Sequence, residues 1–147
     1  HFDPADVFGF GMWKDFMIMR LGETYLLKAE AQVAQNNPGG AATTINILRT
    51  RANAPQVTAG DMSLDFILDE RVRELLAEEN RRMTLMRTKM LVERATRLNI
   101  QDEGIPLPQT MRIEGLQEFH ELFPIPLREI QLNKEAELTQ NPGYTGS

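Results

Sequence analysis

The sequence contains no cysteine, which excludes disulfides, thiolate metal sites and a cysteine nucleophile. Histidine is almost as scarce. His1 and His120 are the only two, so an imidazole-based metal site would need carboxylates or a second chain to complete it. No stretch approaches the roughly 20 consecutive apolar residues that carry a helix across a bilayer. The glycines form no phosphate-binding loop: Gly39-Gly40 follows a helical pattern rather than a strand, and no Lys-Ser or Lys-Thr pair comes after it. An EF-hand loop, an HExxH zinc motif and a GxSxG nucleophile elbow are also missing. Positive charge is in deficit, with a formal net charge of -5. Such a surface repels nucleic acid and anionic lipid at long range. The arginines between Arg71 and Arg97 are interleaved with glutamates and read as a solvated helix face of alternating sign, so no nucleic-acid partner is expected. No cofactor is expected either.

What is present points to a helical protein. The 147 residues, 41% hydrophobic and 25% charged, suit a single globular core. The opening residues His1-Phe2-Asp3-Pro4 include neither an initiator methionine nor a signal peptide, and a mature, proteolysed or truncated product is the expectation. Residues 1–14 read as a loop dense in aromatics: Phe2, Phe8, Phe10 and Trp13. These either plug a hydrophobic seam or stack on a sugar ring. Trp13 is the aromatic candidate for ligand contact, because indole offers a large face and one donor.

Residues 15–98 read as helical hairpins. Apolar spacing predicts a helix from Asp15 to Gln35, with Ile18, Leu21, Tyr25, Ala29 and Val33 on one broad face. Asn36-Asn37-Pro38-Gly39-Gly40 stops it. A second helix is expected from Ala41 to Asn53, and the small residues Ala29, Ala41 and Ala42 would let the two approach closely. A third runs from Leu64 to Glu79, with Ser63 as its N-cap and Leu64, Ile67, Leu68, Val72, Leu75 and Leu76 as its stripe. A fourth covers Arg81 to Leu98, with a small break near Asn80. Residues 99–147 read as an irregular tail that wraps back over the helices: Phe123-Pro124-Ile125-Pro126 is extended, a helical turn follows at Leu127 to Leu132, and Pro142-Gly143 makes a turn. The fold class is therefore all-α, with tetratricopeptide-like helix pairs by spacing.

No catalytic site emerges. Glu70, Glu74 and Glu78 stand at i,i+4 steps and can share a face. Glycoside hydrolysis needs two carboxylates facing each other across a cleft, and arginines 71, 73, 81 and 82 are close enough in sequence to pair with these acids. Ser63 has no evident base, and His120, beside Phe119, reads as a packing or hydrogen-bonding residue. The expectation is a protein that is not an enzyme.

Several segments in order resemble the C-terminal region of the SusD/RagB family. They are Arg20 to Ala31, with its arginine, glutamate and Ala-Glu-Ala; Ala41 to Ala52; Ile67 to Leu75 running on into Glu78 to Arg87; Leu122 to Pro126 followed by Glu129-Ile130 and Asn133; and the closing Gln140-Asn141-Pro142-Gly143-Tyr144. Departures fall at Met83, where an aromatic is usual, at Thr84, where aspartate is usual, and at Gly22, where alanine is more common. The resemblance implies the C-terminal portion of a longer surface lipoprotein of Bacteroidetes-type bacteria, anchored through a lipidated cysteine in the portion that precedes it. It implies an all-α fold with tetratricopeptide-like pairs. It also implies a lid over a SusC-like TonB-dependent outer-membrane transporter, and capture of an oligosaccharide or polysaccharide, or in some members a peptide, before import. The alternative reading is a peptide- or protein-binding helical scaffold without glycan affinity.

Overall fold

A computed structural model describes residues 18–98 and 115–144. The order of helices is α1 (Leu21–Ala34), α2 (Pro38–Arg51), α3 (Leu64–Glu74), α4 (Arg81–Arg87), α5 (Leu91–Leu98) and α6 (Leu127–Leu132), with 3-10 turns at Ala59–Asp61 and Glu118–Glu121. Among the described residues there is no strand, so the all-α expectation holds. The chain divides into two compact units, one ending at Glu79 and the other beginning at Asn80.

The first unit is built on α1, α2 and α3. Gln35, Asn36 and Asn37 connect α1 to α2. Asn36 takes a left-handed φ of 57°, a conformation asparagine tolerates better than most residues. The Asn36-Asn37-Pro38-Gly39-Gly40 stop is also a start, so α2 begins at Pro38 rather than at Ala41. The Asn37 side chain accepts from the Gly40 N–H at 3.0 Å, and Pro38 occupies the first helical position, where its missing N–H costs nothing. Ala29 and Ala41 are fully buried in the core and Ala42 is nearly so, and α1 packs against α2. Leu26, Ile45, Leu48, Ile67 and Leu75 complete the core, with Tyr25, Val33, Val57, Met62 and Phe66 packed around it. Within this contact Thr44 is buried, and its hydroxyl donates to Gln32 Oε1 at 2.8 Å.

The expected start of α1 moves. The helix opens at Leu21, not before, and Ile18 lies ahead of it, 90% exposed. The buried line runs through Gly22, Leu26 and Ala29, so Leu21 faces outward. In α3, Ser63 Oγ accepts from the Phe66 N–H at 3.1 Å, as expected of the N-cap. The buried line there is Ile67, Leu68, Arg71 and Leu75, while Val72 is exposed and Leu76, beyond the helix, is 76% exposed. The helix also ends five residues before Glu79. Asn46 holds the segment between α2 and α3 by donating to the Val57 carbonyl and accepting from the Val57 N–H, both at 2.9 Å.

In the second unit the single helix expected from Arg81 to Leu98 is two helices. Asn80 Oδ1 accepts from the Met83 N–H and starts α4. Thr88 ends it, its hydroxyl bonding back to the Thr84 carbonyl at 2.9 Å, and Lys89 turns the chain with φ 55°. A side-chain hydroxyl competing for helical carbonyls is a local reason for the break. Thr84 and Leu85 face inward, whereas Met83 is exposed. The Phe123-to-Pro126 segment is non-helical and α6 follows at Leu127, matching the tail expectation there.

Candidate functional site

Three arginines ahead of or at the end of helices gather the carboxylates of α3. Arg49 and Arg51 stand in the last turn of α2, where positive charge suits the helix dipole. Arg49 Nη1 meets both oxygens of Glu70, at 3.0 and 2.8 Å, and its Nε donates to the Pro55 carbonyl at 2.5 Å. Arg73 joins the same carboxylate at 2.8 Å. Arg51 Nη2 lies 2.6 Å from each oxygen of Glu74. Arg20, extended just before α1, donates to Glu74 Oε1 at 2.5 Å, to the Glu74 carbonyl and to the Glu78 carboxylate. Gly22 makes room for this: a Cβ there would stand 2.7 Å from Glu74 Oε1 and closer still to the Arg20 guanidinium.

Arg71, 1% exposed, lies deepest. Its Nε donates to Glu79 Oε1 at 2.5 Å and its Nη2 to Glu23 Oε1 at 3.2 Å. The Arg20 guanidinium holds the Glu78 carboxyl below the usual carboxylate range, and the two glutamates it meets raise its own pKa.

Thus Glu70, Glu74 and Glu78 are each engaged by guanidinium groups. Glu74 and Glu78 share Arg20, but Glu70 belongs to Arg49 and Arg73. Arg71, which its place in the sequence offers to the same acids, points into the core, where it pairs with Glu23 and Glu79. Of the three, Glu78 is favoured as the anion by its hydrogen bond from Arg20. Among the described residues no group of three His, Asp or Glu side chains is placed to hold a metal ion.

The second unit carries an aromatic cluster. Phe119 and Tyr144 meet edge to face with centroids 5.0 Å apart, and the His120 ring lies 4.1 Å from Phe119. His120 Nδ1 accepts from the Gln117 N–H at 2.8 Å, so it caps the 3-10 turn as well as packing in it. Gly143, at φ 85°, lies against the Phe119 ring, leaving no space for a Cβ. The closing segment clasps the extended one. Gln140 pairs with both backbone groups of Ile125, at 2.7 and 2.8 Å, Asn141 Nδ2 donates to the Phe123 carbonyl at 2.7 Å, and the Tyr144 hydroxyl donates to the Leu122 carbonyl at 2.7 Å. Phe123 itself is 44% exposed, with the Arg82 guanidinium 4.8 Å from its ring centre. Trp13 lies outside the described residues.

Both clusters lie within the residues that a family comparison matches. The model of the SusD family matches residues 11–144. The chain belongs to the SusD family. A curated relative, SusD-like protein P25 of Formosa agariphila, is 34% identical over 137 residues, which are 87% of this chain and 24% of that protein. The chain therefore spans about a quarter of the length of the curated relative it matches. No solved structure matches. In this SusD family chain the arginine ahead of α1 and Arg51 at the end of α2 meet on Glu74, Arg49 at the end of α2 meets Arg73 on Glu70, and the Gln-Asn-Pro-Gly-Tyr ending is the tail clasp. Sequence reading placed these motifs without showing what joins them, since partners such as Arg20 and Glu74 are 54 residues apart. The local signals are the basic residues in the last turn of α2 and Arg73, three residues from Glu70.

Proposed function

We propose that the protein captures an oligosaccharide noncovalently at the bacterial cell surface and delivers it to a SusC-like TonB-dependent outer-membrane transporter. Membership of the SusD family over residues 11–144 carries this reading. The chemistry of the described residues supports it: the glutamates of α3 are neutralised by arginines, Ser63 and His120 serve as caps, and what remains is a helical scaffold. On this reading the α1–α2 and later helices form tetratricopeptide-like pairs. The portion of a longer protein that precedes this chain completes the platform, and a lipid anchor there holds it on the extracellular face of the outer membrane. Capture proceeds by ring stacking and hydrogen bonds in a preformed groove, with Trp13 as a contact, and no cofactor takes part.

Calorimetry of the full-length protein against a panel of glycans tests the reading. At least one oligosaccharide is expected to bind and to be recovered unchanged, with affinity about two- to tenfold lower in Trp13→Ala, the loss of one aromatic stacking contact. Binding of peptides with no glycan affinity would overturn it.

A further inference from the structure

The end of α3 contradicts its own local sequence. Residues 75–79 are Leu, Leu, Ala, Glu and Glu, all good helix formers with no glycine or proline to stop them. Yet the helix ends at Glu74. Ala77 adopts φ 62°, a left-handed conformation that an alanine keeps only when something else holds it.

What holds it comes from elsewhere in the unit. In a continued helix the Glu74 carbonyl would accept from the N–H of Glu78. Here the Glu78 N–H turns to the Leu75 carbonyl at 2.9 Å, and Arg20 Nη2 takes the Glu74 carbonyl instead. The same guanidinium grips the carboxylates of Glu74 and Glu78, so it binds both sides of the turn. Arg71 secures the far end through Glu79 at 2.5 Å. That pair is eight residues apart, roughly 12 Å along a continuous helix and beyond side-chain neighbours at i,i+4. It can form only when the helix has stopped. Glu23, Arg51, Glu79 and Arg71 are the other charged groups that α1, α2 and α3 with its turn contribute around these contacts.

We infer that residues 75–79 are a two-state element: a left-handed turn while Arg20 occupies the end of α3 and Arg71 holds Glu79, and a continuation of α3 through Glu79 when Arg20 leaves and the Arg71–Glu79 pair opens with it. Arg20 immediately precedes α1, so displacement of the chain ahead of α1 is converted into a change in the length of α3. Arg20 is the positioning residue of this device, and Ala77 is the residue that changes basin.

The test uses the full chain carrying 13C-labelled alanine, with the Ala77 resonance assigned by its loss in Ala77→Gly. The one-bond Cα–Hα coupling separates positive from negative φ. In the parent protein Ala77 is expected at positive φ, and in Arg20→Gln at negative φ with a rise in far-ultraviolet helical signal. Adding Ala77→Gly to Arg20→Gln is expected to remove that rise, since glycine accepts the left-handed basin. A second perturbation works from the other side. Ala77→Val, which resists positive φ, is expected to keep the fold while releasing the Arg20 Nε–H resonance from its hydrogen-bonded position. Ala77 remaining at positive φ in a folded Arg20→Gln protein overturns the inference. So does an Ala77→Val protein that unfolds or leaves the Arg20 resonance unmoved.

Discussion

Arg71 and Glu79 form an ion pair inside the protein, at 2.5 Å with 1% and 6% of their side chains exposed. Removing one member of such a pair leaves the other charge buried. Arg71→Met is therefore expected to destabilise the first unit by about 3–5 kcal/mol. The double variant Arg71→Met with Glu79→Leu should recover much of that loss, since two apolar groups of similar size need no counter-charge. Urea melts of the three proteins measure both effects; a double variant no better than the single one would show that the pair itself, rather than the stranded charge, dominates.

The contact between α1 and α2 depends on small side chains. Ala42 is buried at 6% exposure beside Ile45 and Leu48 on the core side of α2. Ala42→Phe should cost about 1–3 kcal/mol through overpacking. Thermal denaturation reads this out, and an unchanged midpoint would mean that the helices separate without penalty.

Acid should loosen the Arg20 clasp. The Arg20 hydrogen bond lowers the Glu78 pKa, so the folded protein binds this proton less tightly than the unfolded chain does. The resulting stabilisation is complete above the ordinary glutamate range and disappears as pH falls through the depressed folded value. Comparing parent and Glu78→Gln melts from pH 7 down to pH 3 should show a difference at neutral pH that closes in acid. Asp61 shifts in the same direction because the Thr58 N–H and hydroxyl both donate to it, which makes Asp61→Asn the matching control for a carboxylate held by a backbone N–H and a hydroxyl rather than by guanidinium hydrogen bonds.

The tail clasp turns on one glycine. Gly143→Ala must place a non-glycine residue at φ 85°, at about 1–2 kcal/mol, and drive a methyl group into the Phe119 ring. The expected result is faster proteolysis between residues 122 and 144, with the first unit's urea midpoint unchanged. Asn141→Ala, which removes only the bond to the Phe123 carbonyl, should have a smaller effect of about 1 kcal/mol.

Capping was visible in the sequence at Ser63 and hidden at Arg20. Serine before an apolar run carries its role in its own chemistry, and the structure finds its hydroxyl on the Phe66 N–H. Asn37-Pro38 reads as a stop, although the same pair starts α2. The break at Lys89 is not legible in the sequence, because Thr84 and Thr88 look like ordinary helix surface until the Thr88 hydroxyl is seen on the Thr84 carbonyl. Periodicity puts Val72 and Leu76 inside the α3 stripe, since it ranks leucine and valine above arginine, yet both are exposed. It cannot know that a carboxylate waits in the core for Arg71.

By itself the sequence determined the helical character of the chain, the faces rich in alanine and leucine, the Ser63 cap and the pairing of α1 with α2, because each follows from spacing and propensity within a few residues. Tertiary structure alone decided where α1 begins, where α3 ends and which arginine neutralises which glutamate. Those outcomes depend on groups brought together from up to 58 residues away. A guanidinium that captures a helix's last carbonyl outweighs the local preference of the residues that follow.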